Sequence, residues 1–542
     1  MAMFKAKKLI LFCALIFLIS SVATQADAAI VGEFLKFNVD SGFDLTGRSN
    51  ITSTLVKVTP KIYFYIDREW WDSQPYVQQN NVLSSLDVLS REFESKIYPV
   101  LTASFGREWS PGIDRDEKIT VLFHSMKNGD GGYFRENDEY ERIQIPDSNE
   151  REMLYLPIGQ IESLQLKSRL AHEFIHLITF NQKDKIFGSQ EEVWLNELRA
   201  EVASTILGYD DVFEGSNLQK RVQTFLDNPS DSLTEWTNKK EDYGVANLFG
   251  QYLVDHYGIE ILSGSLKSRL VGIPSINAAL LQKGSNRDFS QIFTDWSVAV
   301  VLNNCPAGSE YCYLNKNLKN LRLNPTVNFL PLSGSSSLSV TNDTKTWAGN
   351  WQKFIGGNGN LNLSFNGNGN LFKVPYVLQR KDGSSSIGYL MLDNNQKGDI
   401  NINNFGTDSI ALVIAPSIQI KSIGFDGSEP AYPFTFTAST LGEGTPPTPD
   451  NGDIPAGFTF KKNLAFGAHD ISVIYLKLLL STEGCLSGVS NTDYFASKTL
   501  AAVKCFQNKY RAEISSFAGY NIAATGFVGS GTRAQLNALL AR

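Results

Sequence analysis

The chain has 542 residues, of which 42% are hydrophobic and 19% are charged, and its formal net charge is −7. A single hydrophobic core stops growing well below this length, so two to four domains are expected. The acidic balance argues against nucleic acid as a partner, because proteins that bind it present basic surfaces to the phosphates.

Residues 1–28 have the pattern of a secretory signal peptide. Three lysines between positions 5 and 8 precede an apolar run at 9–19, and Ala26-Asp27-Ala28 is an A-x-A cleavage site. The run is shorter than the ~20 residues that cross a bilayer, and no comparable run follows, so no transmembrane segment is expected. The mature chain, with a net charge of −9, is predicted to be secreted to a bacterial periplasm or cell wall.

From residue 30 to about 157 the sequence alternates between strand and helix patterns. Residues 61–66, 118–123 and 152–156 are predicted strands, and 76–98 has the apolar spacing of an amphipathic helix. This order favours a mixed sheet backed by helices. His124 ends one of the strands and is expected to be structural.

A glycine-rich segment at 128–134 separates two of these strands. Its glycines allow a bulged sheet edge that another backbone can approach, so it could pair with an extended peptide substrate; an ordinary loop is the alternative. Asp130, Asp138 and Glu139 could hold a structural Ca²⁺ ion, although their spacing does not demand one.

The clearest chemical signal is His-Glu-x-x-His at residues 172–176, within a predicted helix. Because His172 and His176 are four residues apart, they project from one face of that helix and can bind one zinc ion. Glu173 lies beside that position. Its carboxylate could take a proton from a zinc-activated water and pass it to the leaving amine.

A hydrolytic zinc site needs a third protein ligand. The next predicted helix carries Glu197 and Glu201 on one face, and we assign Glu197 as this ligand. Glu201 is assigned to accept the other ring N–H of a zinc-bound histidine. The Phe187-Gly188-Ser189 stretch provides the turn between the two helices.

His-Glu-x-x-His followed by Trp-Leu-Asn-Glu-x-x-Ala-Glu at 194–201 resembles the gluzincin zinc peptidases. The wider sequence at 171–182 and 194–201 most resembles the hyicolysin-type neutral zinc metallopeptidases. That resemblance implies His172, His176 and Glu197 as metal ligands and Glu173 as the catalytic base. The sequence departs from the family at Leu198, where related proteins often carry Gly.

Residues 243–258 are predicted to form a helix that ends at Gly258. In peptidases of this kind, a Tyr or His beyond the third ligand often donates a hydrogen bond to the tetrahedral oxyanion. Tyr243 is the candidate for this catalytic role, with packing as the alternative, and His256 is a weaker candidate.

From about residue 325 the composition becomes rich in Gly, Asn and Ser, with short alternating strands and Asn-Gly turns that indicate a β-sandwich. Three prolines between Pro446 and Pro449 make the following stretch a semi-rigid linker.

The last segment is predicted to be a small module of three helices, at 470–480, 497–510 and 531–540. Its amino-acid sequence at 499–507 and 525–537 resembles the peptidoglycan-binding domain family. Residues 458–542 carry nine basic and four acidic side chains, a net charge of +5, which suits a weak anchor to an anionic wall polymer. The alternative is a solvated charged face.

After the signal peptide, four cysteines remain, an even number that indicates two disulfides in an exported chain. Sequence alone does not fix the connectivity. The local pairs Cys305–Cys312 and Cys485–Cys505 are predicted, and free buried thiols are the alternative.

These patterns predict a multidomain protein whose parts are an α+β zincin-like metallopeptidase domain (29–325), a β-sandwich (326–441), a linker (442–455) and an all-α peptidoglycan-binding-like domain (456–542). The expected function is that of a secreted zinc endopeptidase that cleaves proteins and is held at the cell wall. One alternative is a wall peptidase acting on peptidoglycan peptides. The other is a non-catalytic wall-binding protein whose metal site is structural.

Overall fold

The computed structural model describes residues 29–127, 129, 131–332, 334–420, 427–441, 454, 458–468, 470–487 and 494–541. The predicted signal peptide and nearly all of the predicted linker lie outside these residues. The chain forms two compact units. The first comprises the described part of Met1–Glu191 with Asn196–Leu218 and Ile259–Ala279, and the second comprises Glu192–Leu195, Gln219–Gly258 and the described part of Leu280–Arg542.

The protein is therefore multidomain and contains both helices and large sheets, as the sequence predicts. In the order of the chain, the helices before residue 303 are α1 (Arg68–Ser73), α2 (Tyr76–Glu92), α3 (Tyr98–Phe105), α4 (Leu166–Phe180), α5 (Val193–Ile206), α6 (Asn217–Asp227), α7 (Lys240–Tyr257), α8 (Glu260–Leu266), α9 (Gly272–Gln282) and α10 (Phe289–Leu302). Across the described residues, no helix has both the length and the apolar character needed to cross a membrane.

The first unit contains a mixed six-stranded sheet. Its strands are β1 (Phe34–Asn38), β2 (Asn50–Val58), β3 (Ile62–Asp67), β4 (Ile119–His124), β5 (Tyr133–Phe134) and β6 (Met153–Pro157), in the spatial order β1-β2-β3-β4-β6-β5. Strands β3, β4 and β6 run parallel and are buried along their whole length, which explains their nearly continuous apolar sequences. The short strand β5 pairs antiparallel with β6 at the edge of the sheet.

Helix α4 is held in the core of this unit by the apolar stripe that its sequence predicts. Leu170, Phe174 and Leu177 have no exposed surface. The Phe174 ring packs against Phe93 and Tyr98, with centroid distances of 5.1 and 5.6 Å. This packing against Phe93, which follows α2, and against Tyr98 at the start of α3 fixes the rotation of α4, and so the direction in which its polar residues point.

The second unit contains a nine-stranded sheet and a separate two-stranded ribbon, formed by β7 (Thr326–Leu330), β8 (Ser336–Lys345), β9 (Gln352–Gly356), β10 (Gly359–Asn366), β11 (Phe372–Lys373), β12 (Pro375–Arg380), β13 (Ser385–Tyr389), β14 (Lys397–Phe405), β15 (Ser409–Ile414), β16 (Ser417–Ile418) and β17 (Ala431–Leu441). Strand β15 pairs with β12 and β9 over several residues, but with β14 only at Phe405 and Ser409. The nine strands therefore form two sets, β13-β12-β15-β9-β7 and β14-β10-β17-β8, joined at one position.

Near the C-terminus, the described residues form α11 (Ile471–Thr482), α12 (Ser497–Lys509), α13 (Arg511–Ala518) and α14 (Ser530–Leu540). The three predicted helices are present, and α13 is a fourth helix that the sequence patterns do not predict. Tyr510 leaves the helical conformation between α12 and α13, and Gly519 ends α13 with a left-handed φ of 79°. The core that these helices share includes Val473, Leu476 and Phe506.

Both predicted disulfides are confirmed, Cys305–Cys312 and Cys485–Cys505. Disulfides persist in oxidising compartments, so the two bonds fit an extracytoplasmic protein.

Candidate metal centre

The histidine pair of α4 has the arrangement that its spacing predicts. His172 and His176 lie one turn apart on the same face, with ring centroids 4.9 Å from each other. Both side chains are mostly buried. Two ring nitrogens are therefore directed to one place in the first unit.

Helix α5 brings two carboxylates to the histidines. Glu197 Oε2 lies 3.1 Å from His172 Nε2, and Glu197 Oε1 lies 3.6 Å from His176 Nε2. Glu201 Oε1 lies 3.5 Å from the other ring nitrogen of His172, Nδ1. Glu197 thus lies near the Nε2 atoms of both rings, and Glu201 lies on the Nδ1 side of the His172 ring.

One ligand atom from each of His172, His176 and Glu197 can be chosen so that all three lie within 4.8 Å of one another. Two imidazole nitrogens and one carboxylate are a donor set that zinc prefers, and three protein ligands leave a coordination position open. Glu201 behind His172 is the kind of partner that fixes the tautomer of a metal-binding histidine. The residues therefore fit a zinc ion.

The electrostatics of these groups are set by burial and by one another. Burial opposes the charge of His172, but the hydrogen bond with Glu197 and the negative charge of Glu173 outweigh it and raise the pKa of His172 to about 9. For Glu197, the two histidines outweigh burial and lower the pKa. Burial lowers the pKa of His176 and raises that of Glu173 to about 7. A carboxyl with a pKa near neutrality can both accept and release a proton.

The edge of the six-stranded sheet comes close to Glu173. Gly132, just before β5, has a φ of 137°, and a Cβ built on it would lie 2.9 Å from Glu173 Oε1 and 2.8 Å from the Tyr155 carbonyl oxygen. A side chain at this position would collide with both, so glycine allows the close approach. Asn128 and Asp130 of the same segment lie outside the described residues.

A buried polar network holds β5 in place. The ring of His124 lies 3.3 Å from Asp44 Oδ2 through Nδ1 and 3.2 Å from Tyr133 Oη through Nε2. The Tyr133 ring stacks on Tyr155 at 4.3 Å. Burial lowers the pKa of His124, so its ring is neutral at pH 7, with one nitrogen donating and the other accepting. His124 therefore has the structural role that the sequence analysis expects.

A second network, which the sequence analysis missed, supports the α5 end of the site. Arg199 has no exposed surface, and its Nη2 donates to Glu191 Oε2 at 2.7 Å and to Ser265 Oγ at 2.8 Å. The backbone N–H of Gly272 donates to Glu191 Oε1 at 2.8 Å. Lys183, which follows α4, donates to the Ser265 carbonyl at 2.8 Å. Arg199 lies two residues from both Glu197 and Glu201. In a helix this spacing places it on a different face from the two glutamates, and that is the only indication of its role in the sequence.

Tyr243, the predicted oxyanion donor, belongs to the second unit and lies in the first turn of α7. Its ring packs edge-on against Trp236, with a centroid distance of 4.8 Å, and lies under the Arg221 guanidinium at 4.6 Å. Its hydroxyl lies 3.5 Å from Asn238 Oδ1. His256, the weaker candidate, bonds through Nε2 to the Cys312 carbonyl at 2.9 Å. The catalytic assignment of Tyr243 stays a prediction.

Asp138 and Glu139, two residues of the predicted calcium site, contact different side chains. Asp138 accepts hydrogen bonds from Arg135, from the backbone of Asn149 and, at 2.5 Å, from the Tyr155 hydroxyl. Glu139 is fully buried beside Glu152. Asp130 lies outside the described residues, so the calcium site also stays a prediction.

No protein-family model and no curated protein matches the chain. Among solved structures, the chain is similar to PliG of Aeromonas hydrophila, a periplasmic lysozyme inhibitor, at 12% identity and a TM-score of 0.15, over 21% of this chain and 98% of that one. It is also similar to the pre-peptidase C-terminal domain of a Bacillus anthracis collagenase, at 12% identity and a TM-score of 0.14, over 21% and 96% of the two chains.

A third similar structure is CorA of Methylomicrobium album BG8, a surface-associated copper-binding protein, at 10% identity and a TM-score of 0.15, over 22% of this chain and 100% of that one. Similarities with TM-scores this low do not define the fold or the function of this chain.

Proposed function

We propose that the protein is a secreted zinc-dependent endopeptidase of the gluzincin type, most similar to the hyicolysin-type enzymes. The observation that supports this most strongly is the convergence of His172, His176 and Glu197, with Glu173 beside them and Glu201 behind His172. A structural metal site would need the three ligands but not an additional buried carboxylate. Glu173 therefore favours catalysis over the non-catalytic alternative.

In this proposal, His172, His176 and Glu197 hold the metal. A zinc ion held there would act as a Lewis acid toward a peptide carbonyl and a water molecule. Glu173 takes a proton from the attacking water and delivers it to the amine that leaves. Burial raises the pKa of Glu173, which favours uptake of the proton from the water. Glu201 keeps His172 in the tautomer that leaves Nε2 free to bind the metal.

The sheet edge supplies a place for the substrate backbone. Strand β5 is a short antiparallel edge strand, and Gly132, the residue before it, lies beside Glu173. An extended peptide could add to this edge by main-chain hydrogen bonds, which would place a scissile bond next to the base. The His124–Tyr133 contact would then fix the position of β5 relative to the rest of the sheet.

The second unit suits retention at a cell wall. The two strand sets of its large sheet fit the predicted β-sandwich, for which we propose a spacing or docking role. The basic C-terminal helices resemble peptidoglycan-binding domains and carry a net charge of +5 over residues 458–542. We propose that they bind the wall weakly, with an affinity that falls as salt is added.

The same C-terminal segment favours a second candidate function, in which the enzyme cuts the peptides of peptidoglycan itself. The test is to give the zinc-loaded protein either casein or purified wall sacculi. Cleavage of casein without release of muropeptides supports the protein endopeptidase, whereas release of muropeptides with intact casein supports the wall peptidase. Cleavage of neither substrate, with zinc bound, would favour a structural metal site.

Retention is tested separately, by sedimenting the full-length protein with sacculi at low and high salt. We expect co-sedimentation at low salt, which decreases as salt is added. The control is a version that ends at residue 441. Equal sedimentation of the two proteins would contradict the proposed role of the C-terminal segment.

A further inference from the structure

The second unit contains a buried group of carboxylates that the sequence analysis did not single out. Asp231 precedes α7, Glu235 follows in the same loop, and Asp242 lies in the first turn of the helix. Asp231 is 9% exposed, and the other two are 1% exposed. One carboxylate oxygen from each of the three can be chosen so that all three lie within 4.8 Å of one another.

The partners of these carboxylates leave part of the negative charge without compensation. Lys345 Nζ lies 2.6 Å from both oxygens of Glu235. Glu429, itself buried, donates its backbone N–H to Glu235 Oε2 at 2.8 Å and so adds a further carboxylate to the neighbourhood. Glu235 is therefore neutralised by Lys345, while Asp231 and Asp242 face each other.

Two buried oxygens of the group have no hydrogen-bond donor among the described residues. Asp242 Oδ2 accepts from the backbone N–H groups of Thr237 and Lys239, at 3.0 and 2.9 Å. Asp242 Oδ1 and Asp231 Oδ2 are both buried and have no such donor. An ionised oxygen that is removed from water without a donor is strongly destabilised, so these two oxygens point to a positive ligand.

We propose that Asp231, Glu235 and Asp242 form a binding site for a Ca²⁺ ion, separate from the zinc centre and independent of the proposed peptidase activity. The donors are all oxygens, which is the ligand type that hard cations such as Ca²⁺ select. Calcium–oxygen distances are about 2.3–2.6 Å, so two oxygens on opposite sides of an ion lie about 4.8 Å apart, as the spacing of this group allows.

A calcium ion here would stabilise the loop that leads into α7. That loop is already tied to the rest of the second unit. Ser232 Oγ donates to the Thr346 carbonyl at 2.6 Å, and the Leu233 backbone N–H donates to the Trp347 carbonyl at 2.9 Å. The ion would add a link between Asp231 in the loop and Asp242 in the helix, and would fix the start of α7, where Tyr243 lies.

The rival ligand is a proton shared between two carboxyls. Burial and the neighbouring Asp242 raise the pKa of Asp231 to about 7, so a proton could occupy the same space at neutral pH. A bound calcium ion and a shared proton are distinguished by how the stability of the protein responds to added calcium and to the removal of one carboxylate.

The experiment uses the full-length protein, freed of calcium with a chelator and then reloaded with one equivalent of zinc. Calcium is added at pH 8 to the wild type, to Asp231→Asn and to Asp382→Asn, an exposed aspartate of the same unit. We expect calcium to raise the melting temperature of the wild type and of Asp382→Asn by at least about 2 °C, and not that of Asp231→Asn. Terbium luminescence sensitised by Trp236 supplies a direct binding signal, which Ca²⁺ should displace.

Wild-type protein that neither melts higher with millimolar Ca²⁺ nor binds terbium overturns the proposal. A higher melting temperature of Asp231→Asn at pH 8, without any response to calcium in the wild type, would assign the pair to a shared proton. Calcium stabilisation that is equal in wild type and Asp231→Asn also overturns it, because the ion would then bind elsewhere. If Asp231→Asn fails to fold, Asp242→Asn serves as the second variant, and it should lose terbium binding.

Discussion

The candidate metal centre of the first unit and the acidic group of the second unit both bury several carboxylates, but they balance the charge differently. In the metal centre, Glu197 and Glu201 face the rings of His172 and His176. In the acidic group, Asp231 faces another carboxylate. Nitrogen and oxygen donors together select a transition metal such as zinc, whereas oxygens alone select a hard cation or a proton.

A buried carboxylate is tolerated where a basic side chain lies beside it. Where another carboxylate lies beside it, the pair needs a positive ligand from outside the chain. The protein contains both arrangements in other places as well. Arg199 and Lys183 balance Glu191, whereas Glu139 lies beside Glu152. Substitutions in these pairs test the comparison.

The largest stability effect is expected for Arg199→Leu. Removing this cation takes the nearer charge from the buried Glu191, whose distance to Lys183 is 3.6 Å. Breaking a buried ion pair in this way costs about 3–5 kcal/mol. Thermal and urea unfolding of the first unit should show this loss.

Two further variants identify the cause of that loss. Arg68→Leu removes an exposed ion pair with Asp72 and should cost less than about 1 kcal/mol. The double variant Arg199→Leu with Glu191→Leu should regain part of the stability, because the carboxylate that Arg199 balances is removed with it, while Lys183 keeps its carbonyl acceptors. Equal losses for Arg199→Leu and Arg68→Leu would contradict the role given to the buried network.

A smaller effect is expected for Glu201→Gln at the metal centre. Loss of the charge behind His172 should lower the affinity for zinc about 10- to 100-fold, since such partners orient the ligand and raise its basicity. Competition with a zinc-binding dye measures this affinity. Glu117→Gln, an exposed substitution in the same unit, is the control. Unchanged affinity in Glu201→Gln would remove Glu201 from the site.

The smallest effect is a change in pH dependence at Glu139. Burial, with Glu152 as a neighbour, raises the pKa of Glu139 well above its usual range, and burial raises that of Glu152 to about 7. A carboxyl whose pKa is raised on folding contributes stability that is fully present below the unfolded pKa of about 4.5 and is lost as the pH rises through the folded value.

The wild type should therefore lose stability from this pair between pH 5 and pH 8. Glu139→Gln leaves one carboxyl with a neutral neighbour and should reduce that loss by on the order of 1 kcal/mol, as measured by urea unfolding at the two pH values. A wild type and a variant with the same pH dependence would show that the pair does not share a proton.

The sequence predicts best what is encoded locally. The parallel strands β3, β4 and β6, the stripe of α4 and the four-residue spacings of His172/His176 and Glu197/Glu201 all follow from short-range patterns, and the structure has each of them. The local pairings of the four cysteines also follow from short spacings.

The rest depends on contacts between distant residues. Strand β5 has only two residues, too few for a pattern, and it is defined by its pairing with β6. The acidic group is buried partly by Lys345 and Glu429, which lie 110 and 194 residues from Glu235. The two compact units interleave segments of the chain, which no local pattern encodes. Helix α13 was missed because a single non-helical residue, Tyr510, separates it from α12.

The most direct test of the central claim is the zinc content and the casein-cleavage rate of Glu173→Gln beside those of the wild type. The variant keeps His172, His176 and Glu197, so it should bind one zinc per chain as the wild type does. Without the carboxylate to move the proton, its rate should fall about 10²- to 10⁴-fold. A variant that holds zinc and cleaves casein as fast as the wild type would contradict the proposed mechanism.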